Sequence, residues 1–323
     1  MNTSYKIKKI SGDASFREFY RITKKNKSSI LVHAKKEQFK NLIVYSAVNK
    51  ILNNNNISAP KLLKSYYKDN IIEISDLGKL SFYNYIKNYK NKLKAYKKLV
   101  ELIIKLQNIK LKKNYNFNGK TIKFDDYSLR NLNKESDLFF DWYLKYTVKN
   151  KQKNAKIKKI LKKELNVIYK KIYFKNNFFT HRDFHASNIM ISGKKLSIID
   201  SQDAIRGNPL YDLASLIDDV RIKLPKKLKD KLFNYYCYKS KFKNINETNL
   251  KNDFDILSVQ RNLKILGIFV RLYKRDNKPI YLKYLPNTWK LIIRRFDNPI
   301  FKNLFLLMKK NLSLEKLKKI RKI

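Results

Sequence analysis

The sequence predicts an α+β protein of two lobes, a small antiparallel sheet with one helix and then a larger helical lobe. Three observations carry that prediction. Short runs rich in β-branched and aromatic residues, separated by turn residues, fill the first 75 positions. From Leu80 onward, apolar residues recur at three- and four-residue intervals. Inside the helical part stands a polar block, Thr180 to Asp212, whose internal spacing suits chemistry rather than packing.

In the first lobe, Tyr5 to Ile10, Phe16 to Ile22 and Ser29 to Ala34 read as three strands. Gly12-Asp13 and the polar run Lys24 to Lys27 separate them. Phe39, Leu42, Ile43, Ala47 and Ile51 then follow helical spacing, and the asparagine run Asn53 to Asn56 ends that helix. Lys61 to Tyr67 and Asn70 to Ile74 read as two more strands, turning at Lys68-Asp69. The segment Ile71 to Gly78 leaves the sheet at the place where a linker between lobes would lie against a nucleotide base, which makes Glu73 and Ser75 candidate nucleotide contacts.

Beyond it, Leu80 to Tyr89 and Lys92 to Ile109 read as helices, Leu99, Leu102, Ile103 and Leu106 forming the clearest stripe. Leu111 to Asn133 reads as polar and irregular. Glu135 to Val148 places Phe139, Phe140, Trp142, Tyr143 and Tyr146 at helical spacing, a pattern of core packing. Ala155 to Tyr173 is a basic amphipathic helix, and helices continue after Asp212.

The polar block opens with His181-Arg182-Asp183, followed after four residues by Asn188, the H-R-D-x-x-x-x-N spacing of a kinase catalytic loop. Ile189-Met190-Ile191 and Lys195 to Ile199 form a hairpin about Ser192-Gly193, and Asp200 follows. Asn188 and Asp200 should then converge at one mouth. Phosphoryl transfer needs positioned charge more than covalent help. One carboxylate orients the acceptor hydroxyl and takes its proton, while a second carboxylate and an asparagine oxygen hold magnesium. Asp183, Asp200 and Asn188 have the chemistry for those three roles, so ATP and Mg2+ are the expected cofactors.

Composition sets outer limits. The 323 residues, 43% hydrophobic and 13% aromatic, supply a sizeable core. The net charge of +48 would suit a polyanion, but it is nearly all lysine spread along the chain, whereas nucleic-acid readers favour arginine and concentrate charge on one face. No specific nucleic-acid partner is expected. A single cysteine, Cys237, excludes an internal disulfide, and three histidines without a cysteine cluster argue against zinc. No run approaches the ~18 apolar residues of a membrane span, and the N-terminus lacks an apolar signal region. A cytoplasmic monomer without membrane insertion is the expectation.

The blocks HRDFHASNIM, IIDSQDAIRGNPLYDLASL, SGDASFREFYRI, ISDLG and VQRNLKILGIFVRLYKRDNKPIYLKYLP resemble the aminoglycoside phosphotransferase-like kinases, which share the protein-kinase fold. Within that group they are most similar to the bacterial N-acetylmuramate/N-acetylglucosamine anomeric kinases of cell-wall recycling. The resemblance implies a two-lobed kinase with residues 1–75 as the nucleotide-binding lobe and 76–323 as the helical lobe carrying the catalytic loop and acceptor site. It implies that ATP phosphorylates the anomeric hydroxyl of an amino sugar, with Asp183 as base and Asn188 and Asp200 as magnesium ligands. His181 and Asp212 would brace the loop, and Asp203 and Arg206 would lie near phosphates or sugar.

Two departures from protein kinases stand out. Gly12-Asp13-Ala14-Ser15-Phe16 is not a G-x-G-x-x-G loop, although Gly12, Ser15 and their backbone N–H groups could cover phosphates. The strand Ile30 to Ala34 has no lysine where V-A-I-K would place one, as in the anomeric kinases. Lys35, Lys36 and Arg17 are the candidate replacement cations. The alternatives are a kinase of another small alcohol, such as choline, an aminoglycoside or homoserine, and a non-catalytic pseudokinase that binds polyanions.

Overall fold

A computed structural model of the chain describes residues 6–10, 17–25, 27–34, 40–193, 195–240, 242 and 245–312. Contacts divide the chain into two compact units, Met1–Asp125 with Phe178–Arg206, and Asp126–Asn177 with Gly207–Ile323.

The first unit holds an antiparallel five-stranded sheet of β1 (Lys6–Ile10), β2 (Glu18–Lys24), β3 (Lys27–His33), β4 (Leu62–Tyr66) and β5 (Ile71–Ser75), ordered β1-β2-β3-β5-β4. The expected strands are thus present, each shifted by one or two residues. Alternation gives the sheet one apolar face. Ile30 pairs with Ile74 and Val32 with Ile72, and that face packs on Leu42 and Tyr45 of α1 (Lys40–Asn54). The turn between β4 and β5 closes on Asn70, whose φ of 55° asparagine tolerates better than most residues. After β5, Arg21 reaches across from β2 to grip Asp76 and the Gly78 carbonyl, and Ser28 bonds the same carboxylate.

Two helices follow, α2 (Phe82–Lys87) capped by Ser81 and α3 (Lys92–Gln107) capped by Asn91. The predicted stripe of α3 is buried throughout. The stretch read as irregular instead contains a hairpin of β6 (Asn114–Phe117) and β7 (Lys120–Lys123). Its two-residue turn is Asn118-Gly119, both at positive φ (50° and 70°), the chemistry a tight right-twisted hairpin demands. That signal was present in the sequence and outweighs the polarity of the flanking residues. This unit closes with β8 (Phe178–Thr180), the hairpin of β9 (Ile189–Ser192) and β10 (Lys195–Ile198), and β11 (Ile205–Gly207) beside β8.

The second unit is helical: α4 (Leu129–Leu138), a π-helical turn (Phe139–Leu144), α5 (Lys145–Thr147), α6 (Lys151–Tyr169), α7 (Tyr211–Ile217), α8 (Lys226–Lys239), α9 (Glu247–Lys274), α10 (Leu285–Arg295) and α11 (Lys302–Asn311). Asn150 caps α6, so that helix begins and ends four residues before the predicted span. The aromatic run is core, as its spacing implied: Phe139 stacks on Tyr143 at 5.4 Å, and the Trp289 indole donates to the Tyr143 hydroxyl at 2.7 Å. The 28-residue α9 is buried along most of its length. Within the described residues no helix is long and apolar enough to cross a membrane.

An ion cluster lies in this core. Asp218 accepts from Lys229 at 2.6 Å, from Ser258 at 2.6 Å and from Arg295 at 2.6 Å, and Arg295 also meets Asp255 at 3.2 Å. Burial alone would raise the Asp218 pKa, but Arg295 and Lys229 outweigh it and hold the carboxyl well below the usual range.

Gly267 marks the closest approach of α9 to the α4 chain. A Cβ there would stand 2.2 Å from both the carbonyl carbon and oxygen of Leu138. Backbone cannot yield as a flexible side chain does, so Gly267→Ala is expected to destabilise the protein by at least ~2 kcal/mol. Urea unfolding of the two proteins checks this.

Candidate active site

The polar segment that carries Asp183, Asn188 and Asp200 lies wholly within the first unit, between β8 and β11. Thr180 and His181 are buried where β8 ends. The His181 ring joins the two ends of the segment: Nε2 meets the Ile199 carbonyl at 3.1 Å, and Nδ1 accepts the Asp183 N–H at 3.3 Å. One neutral tautomer, with the proton on Nε2, satisfies both bonds. His181 therefore bridges the Ile199 carbonyl and the Asp183 N–H.

After Asp183 the chain folds back on itself. The Asp183 carbonyl accepts from the His185 N–H at 3.0 Å and from the Asn188 side-chain amide at 3.0 Å. The hairpin of β9 and β10 leaves Asn188 and returns beside it, Ile199 N–H donating to the Asn188 carbonyl at 3.0 Å. Two outside strands of contact fix this hairpin. Ser58 Oγ meets Ser197 Oγ at 2.7 Å, and the Leu80 carbonyl accepts from Ile191 N–H at 2.8 Å. The predicted convergence of Asn188 and Asp200 is therefore found.

Asp200 sits at φ +64° and Arg182 at φ +72°, left-handed conformations rare for side-chain-bearing residues and concentrated at functional sites. The Asp200 turn is anchored by α1, where buried Asn49 accepts from Ser201 Oγ at 2.7 Å. Tyr45, one turn earlier on α1, stands beside the Asp200 backbone, and burial pushes its hydroxyl pKa up to about 12. Arg17 is 6% exposed, its guanidinium lying 5.7 Å from the Tyr45 ring centre and donating to Gln202 Oε1 at 3.0 Å. Gln202 Nε2 in turn donates to Asp200 Oδ1 at 3.0 Å.

The carboxylates disturb one another. Asp200 is pushed up to about 6, first by loss of solvation around its carboxyl and then by Asp183, with a smaller push from Asp203. Gln202 and Arg17 oppose the rise. A carboxylate raised by burial and a neighbouring negative charge is poised to accept a cation. Mg2+ needs only one or two protein carboxylates when phosphates complete its shell, so Asp200 with the amide oxygen of Asn188 is a suitable donor set.

Other expected site residues fall as follows. Asp203 lies beside this group, its carbonyl accepting from Arg182 at 3.4 Å, and Arg206 is tied through its N–H to the Asp125 carbonyl at 3.2 Å. Asp212 is buried in α7, in the helical unit. Glu73 and Ser75 are engaged inside the sheet, Glu73 accepting from Ser29 Oγ at 2.6 Å and Ser75 Oγ from the Lys61 N–H at 2.8 Å. Gly12, Ser15, Lys35 and Lys36 lie outside the described residues. Tyr45, Asn49 and Gln202 went unnoticed in the sequence. An asparagine and a tyrosine four apart on α1 share a face, but nothing local says what that face meets.

Comparison with known proteins fits this geometry. The model of the phosphotransferase enzyme family matches residues 6–244. The chain is 26% identical over 286 residues to the N-acetylmuramate/N-acetylglucosamine kinase of Pseudomonas aeruginosa, covering 87% of this chain and 81% of that one. It is 24% identical to the enzyme of the same name from Neisseria meningitidis, covering 88% and 85%. Among solved structures, a choline/ethanolamine kinase family protein from Mesorhizobium loti superposes with a TM-score of 0.63 at 12% identity, covering 96% of this chain and 94% of that one. A spectinomycin phosphotransferase in complex with ADP and spectinomycin superposes at 0.57 and 13% identity, covering 95% and 93%. The fold is the kinase-like one that the sequence predicted.

The raised Asp200 pKa has a measurable consequence. A carboxyl whose pKa rises on folding contributes stability at low pH that is lost as pH climbs through the folded value, here about 6. Asp200→Asn, which tolerates the same backbone conformation, removes that titration. Between about pH 4 and pH 7 the stability difference should shift in the variant's favour, by up to ~3 kcal/mol for a shift of this size. Urea unfolding of ligand-free proteins across that range measures it, and a pH-independent difference would contradict the electrostatic account.

Proposed function

Because the chain belongs to the phosphotransferase enzyme family, we propose that it is an ATP-dependent small-molecule kinase that phosphorylates the anomeric hydroxyl of N-acetylmuramate or N-acetylglucosamine. The observation that carries the reaction is the convergence of Asp183, Asn188 and Asp200 at one mouth of the β9–β10 hairpin. The curated relatives named as N-acetylmuramate/N-acetylglucosamine kinases support the acceptor.

In this reading Asp183 accepts a hydrogen bond from the acceptor hydroxyl and takes its proton as the oxygen attacks the γ-phosphorus. The bond from that phosphorus to the β–γ bridging oxygen breaks, and ADP leaves. Asp200 and the Asn188 amide oxygen would hold the magnesium, which when bound would neutralise phosphate charge. His181 keeps Asp183 aimed through its backbone N–H. Asn188, pinned through its own amide nitrogen to the Asp183 carbonyl, keeps base and metal ligands in one frame.

The anomeric preference has a chemical rationale. The ring oxygen withdraws electron density from the anomeric carbon, which makes that hydroxyl more acidic than its neighbours. A carboxylate is a weak base and gains most from an acidic acceptor.

Asp183→Asn should keep Mg-ATP binding while turnover falls at least ~100-fold, and Asp200→Ala should lose the magnesium-dependent part of nucleotide affinity. Equal turnover in wild type and Asp183→Asn would remove the assigned base. With free N-acetylmuramate or N-acetylglucosamine, phosphorus NMR should show a sugar 1-phosphate, and the methyl glycosides should be inert. A 6-phosphate, or turnover of a methyl glycoside, would leave a kinase of a different hydroxyl.

A further inference from the structure

Resting on the kinase reading, we infer that Arg17 supplies the phosphate-facing positive charge that the third-strand lysine supplies in protein kinases, and that Gln202 is the positioning residue that holds it beside Asp200. The face of β3 turned toward α1 presents Ile30, Val32 and, just past its end, Ala34, all apolar. His33 points away, its ring 3.8 Å from the Glu18 carboxylate. No cation enters from that strand among its described residues.

Arg17 enters from the start of β2 instead. Its guanidinium and the Asp200 carboxylate are separated by a single amide, with 3.0 Å on the arginine side and 3.0 Å on the aspartate side. The chemistry of that link is restrictive. Arginine only donates and an ionised carboxylate only accepts, so the bridging group must accept at one end and donate at the other. Glutamine does both. Glutamate at position 202 would set a like charge against Asp200, and lysine would set one against Arg17.

The contacts at Gln202 and Tyr45 also carry no formal charge. The amide and the ring are two of the contacts that hold the guanidinium in place. In protein kinases the lysine lies against a helix that follows the third strand, and here Tyr45 of α1 is one of the residues against the guanidinium. A guanidinium one amide away from the metal carboxylate is within a side chain's reach of the phosphates that a metal there would carry, and its planar fork suits phosphate oxygens.

The test is ATP binding by the full-length protein in EDTA, where Asp200 has no metal to hold, followed by calorimetry on variants with a wild-type-like thermal transition. Arg17→Ala should weaken metal-free ATP binding by ~10-fold or more, the scale of a lost charge-assisted hydrogen bond, while adenosine binding is unchanged. Gln202→Leu, which leaves the charge but unties it, should weaken ATP binding by a smaller factor. Adding Arg17→Ala to Gln202→Leu should then cost less than it does in wild type, the coupling expected of residues that act as one unit. Should Arg17→Ala fail to fold, Arg17→Lys and Arg17→Gln replace it. The lysine should stay within ~3-fold of wild type and the glutamine should behave as the alanine was expected to. Metal-free ATP affinity indifferent to Arg17, or fully additive losses in the double variant, would overturn the inference and leave the kinase reading intact. A wild-type protein that binds no ATP would overturn both.

Discussion

Everything around the catalytic segment answers to one electrostatic constraint, that Asp183 and Asp200 must be held together although they repel. Mutual repulsion and lost solvation both favour separation, and the rise of Asp200 to about 6 measures that tension. Much of the restraint comes from hydrogen bonds to the backbone of the segment. His181 ties the Asp183 N–H to the Ile199 carbonyl, and Asn188 ties the Asp183 carbonyl to the returning strand. Two residues accept left-handed backbone to complete the turn. Strain of this kind persists where the surrounding bonds over-determine it, and here they do.

Asp200 and Asp218 are two buried carboxyls that their surroundings push in opposite directions. Both are aspartates whose solvation is reduced by packing, and in both that loss favours the neutral form. Asp218 meets Arg295, Lys229 and Ser258, which reverse the effect and leave it ionised inside the helical core. Asp200 is pushed up by another carboxylate, Asp183, and is opposed by Gln202 and Arg17. Pairs of like groups pushed in opposite directions by their surroundings are a sign of divided roles.

Much of the site was legible because its signals are local. The H-R-D-x-x-x-x-N spacing, the Ser192-Gly193 turn and the aspartate after β10 lie within one short run of chain, and the hairpin they imply is the one found. The strands of the sheet were legible through alternation, as at Ile30 and Val32 against Ile72 and Ile74. The β6–β7 hairpin is announced only by Asn118-Gly119, between flanking residues polar enough to read as irregular chain. Tyr45, Asn49 and Gln202 were not readable in the same way. Their importance arises only when α1 docks against the Asp200 turn, a contact between residues more than 150 positions apart in the case of Asn49 and Ser201. The π-helical turn at Phe139–Leu144 is likewise a tertiary outcome, formed where the chain must pass the side-chain-free surface of Gly267.

The hairpin that joins Asn188 and Asp200, the two proposed metal ligands, works as a pair of callipers. Asn188 lies just before its first strand and Asp200 just after its second, so the jaws close at one end while Ser192 and Gly193 turn at the other. The gap between the jaws depends on the strands being equal in length and in register, not on how long they are. Lengthening both arms together at the far turn, where a side chain on Gly193 would meet nothing within 4 Å, leaves the gap unchanged. Removing one residue from a single arm reverses every inward and outward side chain beyond the cut and skews the jaws. The distal turn is therefore the natural place to graft a peptide tag or a reporter loop, and the arms are where this hairpin can least tolerate an insertion or deletion.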